Sequence, residues 1–132
     1  MKWIRNLVHN FRGAVYTTDP IAQIVLWNKS RNLNTYDERT EDNLLAEELE
    51  ELSAARTAID SHGIIDAYAD ILVVVTGSIH KYGYNPNLVL AETLKEITSR
   101  KGSINPETGK WEKDLNQDPN SLYKADYSKC RY

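Results

Sequence analysis

The chain has 132 residues, 41% of them hydrophobic, with 16 basic against 19 acidic side chains and a net charge of −3. That length and apolar content suit one domain, or one subunit of a compact oligomer. The near-balanced charge excludes the basic footprint of a general binder of nucleic-acid polymers. Cys130 is the one cysteine, so no disulfide framework can form within the chain, which fits a reducing cytoplasm.

Met1-Lys2-Trp3-Ile4-Arg5-Asn6 meets charge too soon to read as a signal peptide. Residues 1–18 read as an ordered arm. Asp19-Pro20 then opens a first helix, with a capping Asp and a Pro at the first helical position. It is expected to run to about Leu33, with Ile21, Ile24, Val25 and Trp27 as core candidates, before the loop Asn32-Leu33-Asn34-Thr35. A second helix should run from Glu38 or Thr40 to Ile59, with Leu45, Leu49, Leu52 and Ile59 on one stripe. A third should run from Ser61 to Tyr82, ended by Gly83. Its longest apolar run, Ile71–Val75, is too short to span a membrane. Asn85-Pro86 opens a fourth helix, lined by Leu90, Leu94 and Ile97 and ended by Gly102. A turn at residues 105–110 follows, then a polar tail whose aromatics, Trp111, Tyr123, Tyr127 and Tyr132, are too many for a disordered segment. The reading is an all-α four-helix bundle over residues 1–102, with an irregular C-terminal tail, 103–132, packed on it. The third helix is apolar on nearly every side and must be covered on all of them, which predicts a homo-oligomer, a dimer or a tetramer.

Charge is uneven along this frame. Residues 37–51 hold eight acids and one base, Arg39, whereas residues 81–132 hold nine bases and seven acids. Such a pairing suits a cation and a phosphate-bearing ligand together. Within Glu47-Glu48-Leu49-Glu50-Glu51-Leu52, Glu48 borders the buried stripe and Glu51 shares its side. Glu50 faces away, and Glu47 lies between. Asp66 and Asp70 stand one turn apart within an apolar helix, on a face that continues to Val73, Gly77 and Lys81. An unpaired buried charge is costly, so two aspartates there need a reason. An acidic run on its own is more often a solvated helix face, and one Asp could pair with Arg31 or Arg56. If the two helices are antiparallel, however, the acids meet in a hard, oxygen-only site for Mg²⁺ or Mn²⁺. A di-iron site would want Glu-x-x-His pairs, and none of His9, His62 or His80 has a Glu three residues before it.

The words Glu47-Glu48-Leu49-Glu50-Glu51-Leu52 and Asp66-Ala67-Tyr68-Ala69-Asp70, followed by an apolar stretch to Gly77, resemble the all-α NTP pyrophosphohydrolases. These include the MazG-like enzymes, dimeric dUTPases and phosphoribosyl-ATP pyrophosphohydrolases. The chain is most similar to small single-domain MazG-like proteins often carried by bacteriophages, over about residues 40–101. Leu7–Arg12 resembles their N-terminal arm, and residues 96–111 their lysine-bearing tail. The resemblance implies a Mg²⁺-dependent enzyme cleaving a nucleoside triphosphate, ribo or deoxy, to the monophosphate and pyrophosphate. Carried over by position, it implies Glu48, Glu51 and Asp70 as metal ligands. The family pattern places Glu at 67, where this chain has Ala67, and Asp66 is expected to substitute. Thr98-Ser99-Arg100-Lys101 also departs from the Ser-Asn-x-Ser-Lys word of relatives.

With that substrate in view, Glu47 is the candidate to orient or deprotonate the attacking water. Lys81, Arg100, Lys101 and Lys110 are candidates for phosphate contacts. Asn28 and Arg31 are candidates for base or sugar, while Trp27 reads as core. His62 reads as a turn residue and His80 as a helix-end residue favoured by the dipole. The alternative is a non-catalytic helical oligomer that keeps the acidic site to bind a nucleotide or a protein.

Overall fold

The computed structural model describes residues 18–132 and the backbone of two short antiparallel strands, β1 (Asn10–Phe11) and β2 (Ala14–Val15). The rest of the predicted N-terminal arm lies outside the described residues. Four helices follow: α1 (Pro20–Ser30), α2 (Glu38–Thr57), α3 (Ser61–Lys81) and α4 (Pro86–Ser99). The all-α expectation holds. The described chain forms two compact units, one ending at Pro86 but including Tyr132, the other Asn87–Arg131.

In the first unit Asp19 caps α1 as predicted, and Asp37 and Asp60, not singled out in the sequence, cap α2 and α3 in the same way. The Asp19 carboxylate accepts from Ile21 N at 3.0 Å, Asp37 from Thr40 N at 3.0 Å, and Asp60 from Gly63 N at 3.0 Å. Helix α1 stops at Ser30, earlier than expected, because Arg31 and Asn32 donate back to Asn28 O and Lys29 O, and Asn32 then takes φ +57°. Asn tolerates that left-handed conformation better than most residues. Helix α3 packs against both α1 and α2.

The α2 stripe is shifted from the expected one. Glu41, Leu44, Leu45, Glu48, Leu52 and Ala55 face inward, while Leu49 is 51% exposed. Ile59 is 87% exposed because it lies past the helix end at φ +53°, which turns it off the stripe. Trp27, expected in the core, is 42% exposed, and the Arg31 guanidinium stacks 4.4 Å from its ring centroid. On α3 the buried residues are the small or polar Ala67, Thr76, Gly77 and His80. Of the large ones, Ile64, Ile71, Val74, Val75 and Ile79 are half-buried, and Ile65, Tyr68, Leu72 and Val73 are exposed. By length and hydropathy α3 could cross a membrane, but it carries Asp66 and Asp70 and has the acids of α2 packed against it.

In the second unit α4 ends at Ser99, and Gly102 opens a hairpin instead of capping the helix. Strands β3 (Gly102–Ile104) and β4 (Trp111–Lys113) pair Gly102 with Lys113 and Ile104 with Trp111. Gly109, at φ +70°, turns the connecting loop. Leu94 and Ile97, expected to line a core, are 58% and 46% exposed. The face of α4 that receives the C-terminal segment is polar. Glu92 accepts from the Tyr123 hydroxyl and from Asp126 N at 3.2 Å, Thr93 Oγ1 meets the Tyr127 hydroxyl at 2.8 Å, and Glu96 accepts from Ala125 N at 3.1 Å.

Candidate metal centre

The α2–α3 hairpin brings Glu48, Glu51 and Asp70 together, one carboxylate oxygen of each within 4.8 Å of the others. The geometry follows from local sequence. Glu48 and Glu51 are three apart on α2, and the tight Ala58–Asp60 link makes α3 return antiparallel with Asp70 opposite them. Glu48 and Asp70 are half-buried, Glu51 exposed. Glu48 Oε2 is fully buried and has no hydrogen-bond partner. Burial, then the charges of Glu51, Asp70 and Glu47, push the Glu48 carboxyl above the usual glutamate range. A buried acceptor without a donor is destabilising, and clustered carboxylates repel. A hard divalent cation would answer both, and three carboxylates are the donor set that Mg²⁺ and Mn²⁺ favour. The residues therefore fit such an ion.

The other expected site residues are distributed as follows. Asp66 is exposed and outside the three-residue cluster. Glu47 is exposed, yet near enough to act on Glu48. Lys81 has a different partner from the phosphate foreseen: its ammonium pairs with Glu41 at 2.8 and 3.1 Å, with the side chains only 10% and 5% exposed. Asn28 is 3% exposed, donates from Nδ2 to Ile24 O at 2.9 Å and lies against Gly77, where an added Cβ would stand 3.2 Å from Nδ2. Arg31 is occupied by the Trp27 face and by Ser30 Oγ at 3.1 Å. In the second unit Arg100 pairs with Glu96 at 2.9 Å. Lys101 donates its backbone N–H to Gln117 Oε1 at 2.7 Å, and Lys110 is exposed beside the hairpin loop.

Two buried groups went unforeseen. Glu41 sits seven residues before Glu48, two turns along the same face, and takes Lys81 and the Ser78 hydroxyl (3.1 Å). That heptad spacing was the available signal. His80 sits in the last turn of α3 as expected, but as a buried bridge: Nε2 meets Asn34 Oδ1 and Nδ1 meets the Tyr132 hydroxyl, both at 2.7 Å. Burial, then Lys29 and Lys81, lower its pKa.

The family model for phosphoribosyl-ATP pyrophosphohydrolase matches residues 28–96. That span includes both acidic words and the whole α2–α3 hairpin. No curated protein and no solved structure matches the chain.

Proposed function

Because this chain belongs to the phosphoribosyl-ATP pyrophosphohydrolase family, within the MazG-like all-α pyrophosphohydrolases, we propose that it is a Mg²⁺-dependent nucleoside triphosphate pyrophosphohydrolase. The family supports a nucleotide pyrophosphohydrolase activity in general and fits a soluble protein. The substrate, a ribo- or deoxynucleoside triphosphate cleaved to monophosphate and pyrophosphate, is our reading. The observation that carries it is the partnerless buried oxygen of Glu48 among three converging carboxylates.

Glu48, Glu51 and Asp70 would hold Mg²⁺, with Mn²⁺ as a substitute, and Asp66 would contribute from its exposed position one turn earlier. When bound, the ion neutralises phosphate charge and lowers the pKa of water. Glu47 stands beside the cluster in solvent, placed to orient a water and take its proton. Asn28, foreseen as a base or sugar contact, is 3% exposed with Nδ2 held by Ile24 O, and has no part in this reading.

The test is pyrophosphate release from each common NTP and dNTP, and from phosphoribosyl-ATP, with Mg²⁺ and with chelator. Release from a triphosphate that Glu51→Gln abolishes supports the reading. Release from phosphoribosyl-ATP alone, or nucleotide binding without turnover, overturns it.

We also propose that the chain is a homo-oligomer, with a second copy covering Ile65, Tyr68 and Leu72 of α3. These three recur at helical spacing on one face and are 67%, 45% and 61% exposed. Among the described residues the buried hydrophobic side chains are Leu52, Ala67 and Cys130, with Pro86 also buried. Apolar surface of that kind is stabilised by burial. A monomer by light scattering at micromolar concentration would exclude this, as would Leu72→Glu leaving the assembly intact.

A further inference from the structure

The hairpin of the second unit lies beyond the residues the family model matches, and it carries two adjoining cavities of about 260 and 540 Å³. Both are lined by Arg100, Lys113 and Leu115. The smaller adds Lys124; the larger adds Lys110 and Trp111.

The acids along these cavities are already committed to donors of the protein. Glu96 takes Arg100 and Ala125 N. Glu112 takes Asn105 Nδ2 at 2.9 Å, and Asp114 takes Asn116 N at 2.9 Å. Lys110, Lys113 and Lys124 form no salt bridge among the described residues, although the Lys124 charge acts on Glu96. The cleft thus presents uncommitted ammonium donors beside satisfied carboxylates, an environment that favours an added anion.

Trp111 is held for a different contact. Its indole lies over Gly102, where a Cβ would come within 2.5 Å of Cζ2, so only glycine permits this placement. Yet the side chain remains 46% exposed. A fixed, half-exposed indole next to cations is suited to stacking a planar ring.

We propose that this cleft is a metal-independent binding site for a small phosphate-bearing molecule with an aromatic ring, a mononucleotide in chemical class. Lys113 and Lys124 take the phosphate oxygens beside the Arg100–Glu96 pair, and Trp111 takes the ring. The site does not rest on the α2–α3 acids and would stand if the chain hydrolysed nothing.

The experiment uses the full chain with EDTA, titrated with ADP and, separately, with ribose 5-phosphate. Calorimetry gives Kd, and the indole N–H resonance of Trp111 is identified by its loss in Trp111→Phe. ADP should shift that resonance, and ribose 5-phosphate should bind at least about tenfold more weakly because it offers no ring to stack. Lys113→Ala/Lys124→Ala, both at exposed positions, should weaken ADP by about tenfold or more. Glu51→Gln/Asp70→Asn should leave it within about twofold, since additive behaviour is expected of independent sites. Loss of ADP binding in the Glu51/Asp70 variant, unchanged binding in the lysine variant, equal affinity for the two probes, or no shift at millimolar ADP would each overturn the proposal.

Discussion

Glu48 and Glu92 are the same residue type on two helices of this chain, and their carboxyls move in opposite directions. Glu92, on α4, receives the Tyr123 hydroxyl, the Asp126 N–H and Lys95, and these hold its pKa down at about 2. Glu48, on α2, has burial and three like-charged neighbours instead, and its pKa rises. Glu41, in the α2–α3 seam itself, is buried and answered by Lys81 and Ser78. A carboxylate whose donors come from the protein is fastening the fold. One without such donors is a candidate ligand for a bound cation.

The sharpest way to break this comparison is to remove the answer from the satisfied pair. Glu41→Gln leaves the Lys81 ammonium buried without its counter-ion, which should cost about 3–5 kcal/mol of stability. Glu41→Leu combined with Lys81→Met should recover most of the loss. Chemical denaturation measures both, and a loss below about 1 kcal/mol would mean that the pair is effectively solvated.

The unanswered cluster should behave oppositely. Glu51→Gln or Asp70→Asn should leave the metal-free melting temperature unchanged or raised, because repulsion is relieved. The same substitutions should reduce Mg²⁺-dependent turnover by about 100-fold or more, about 2.7 kcal/mol at the transition state. They should also abolish the Mg²⁺-induced rise in melting temperature, a rise worth about 2.7 kcal/mol at 100 times Kd. Calorimetry with and without Mg²⁺ reads both halves. Asp66→Asn, outside the cluster, should keep most of that metal-induced shift and lose about tenfold in turnover.

Glu92 sharpens the comparison through pH. Its folded pKa, about 2, lies below the ordinary 4.5, so the unfolded chain binds more protons between those values. The stabilisation is present in full above pH 4.5 and is lost as pH falls toward 2. Glu92→Gln should lower the melting temperature at pH 7 and flatten this part of the acid limb, as measured by circular dichroism between pH 7 and 2. An unchanged acid limb would show that Glu92 is not held by these donors.

The sequence by itself determined the helices and the acidic words. Asp19 with Pro20, and Pro86, act within a few residues, so those helix starts were legible, and Asp37 and Asp60 carry an equally local signal not among the expected caps. Spacings of three and four within one helix likewise placed Glu48 beside Glu51 and Asp66 beside Asp70. The tertiary structure decided which acids meet. The cross-helix register brings Asp70, and not Asp66, to the two glutamates, and no periodicity within one helix encodes that register. It decided the fate of Lys81, because its partner Glu41 is forty residues away in sequence. It also decided which apolar residues stay outside: Ile59 left its stripe at a positive φ, and α3 turned its small face inward because close helix approach requires small side chains there. The hairpin at Gly102 was hidden for a similar reason. The glycine reads locally as a helix stop, and only the Glu112 carbonyl and the Trp111 ring brought against it by the hairpin show why no other residue would fit.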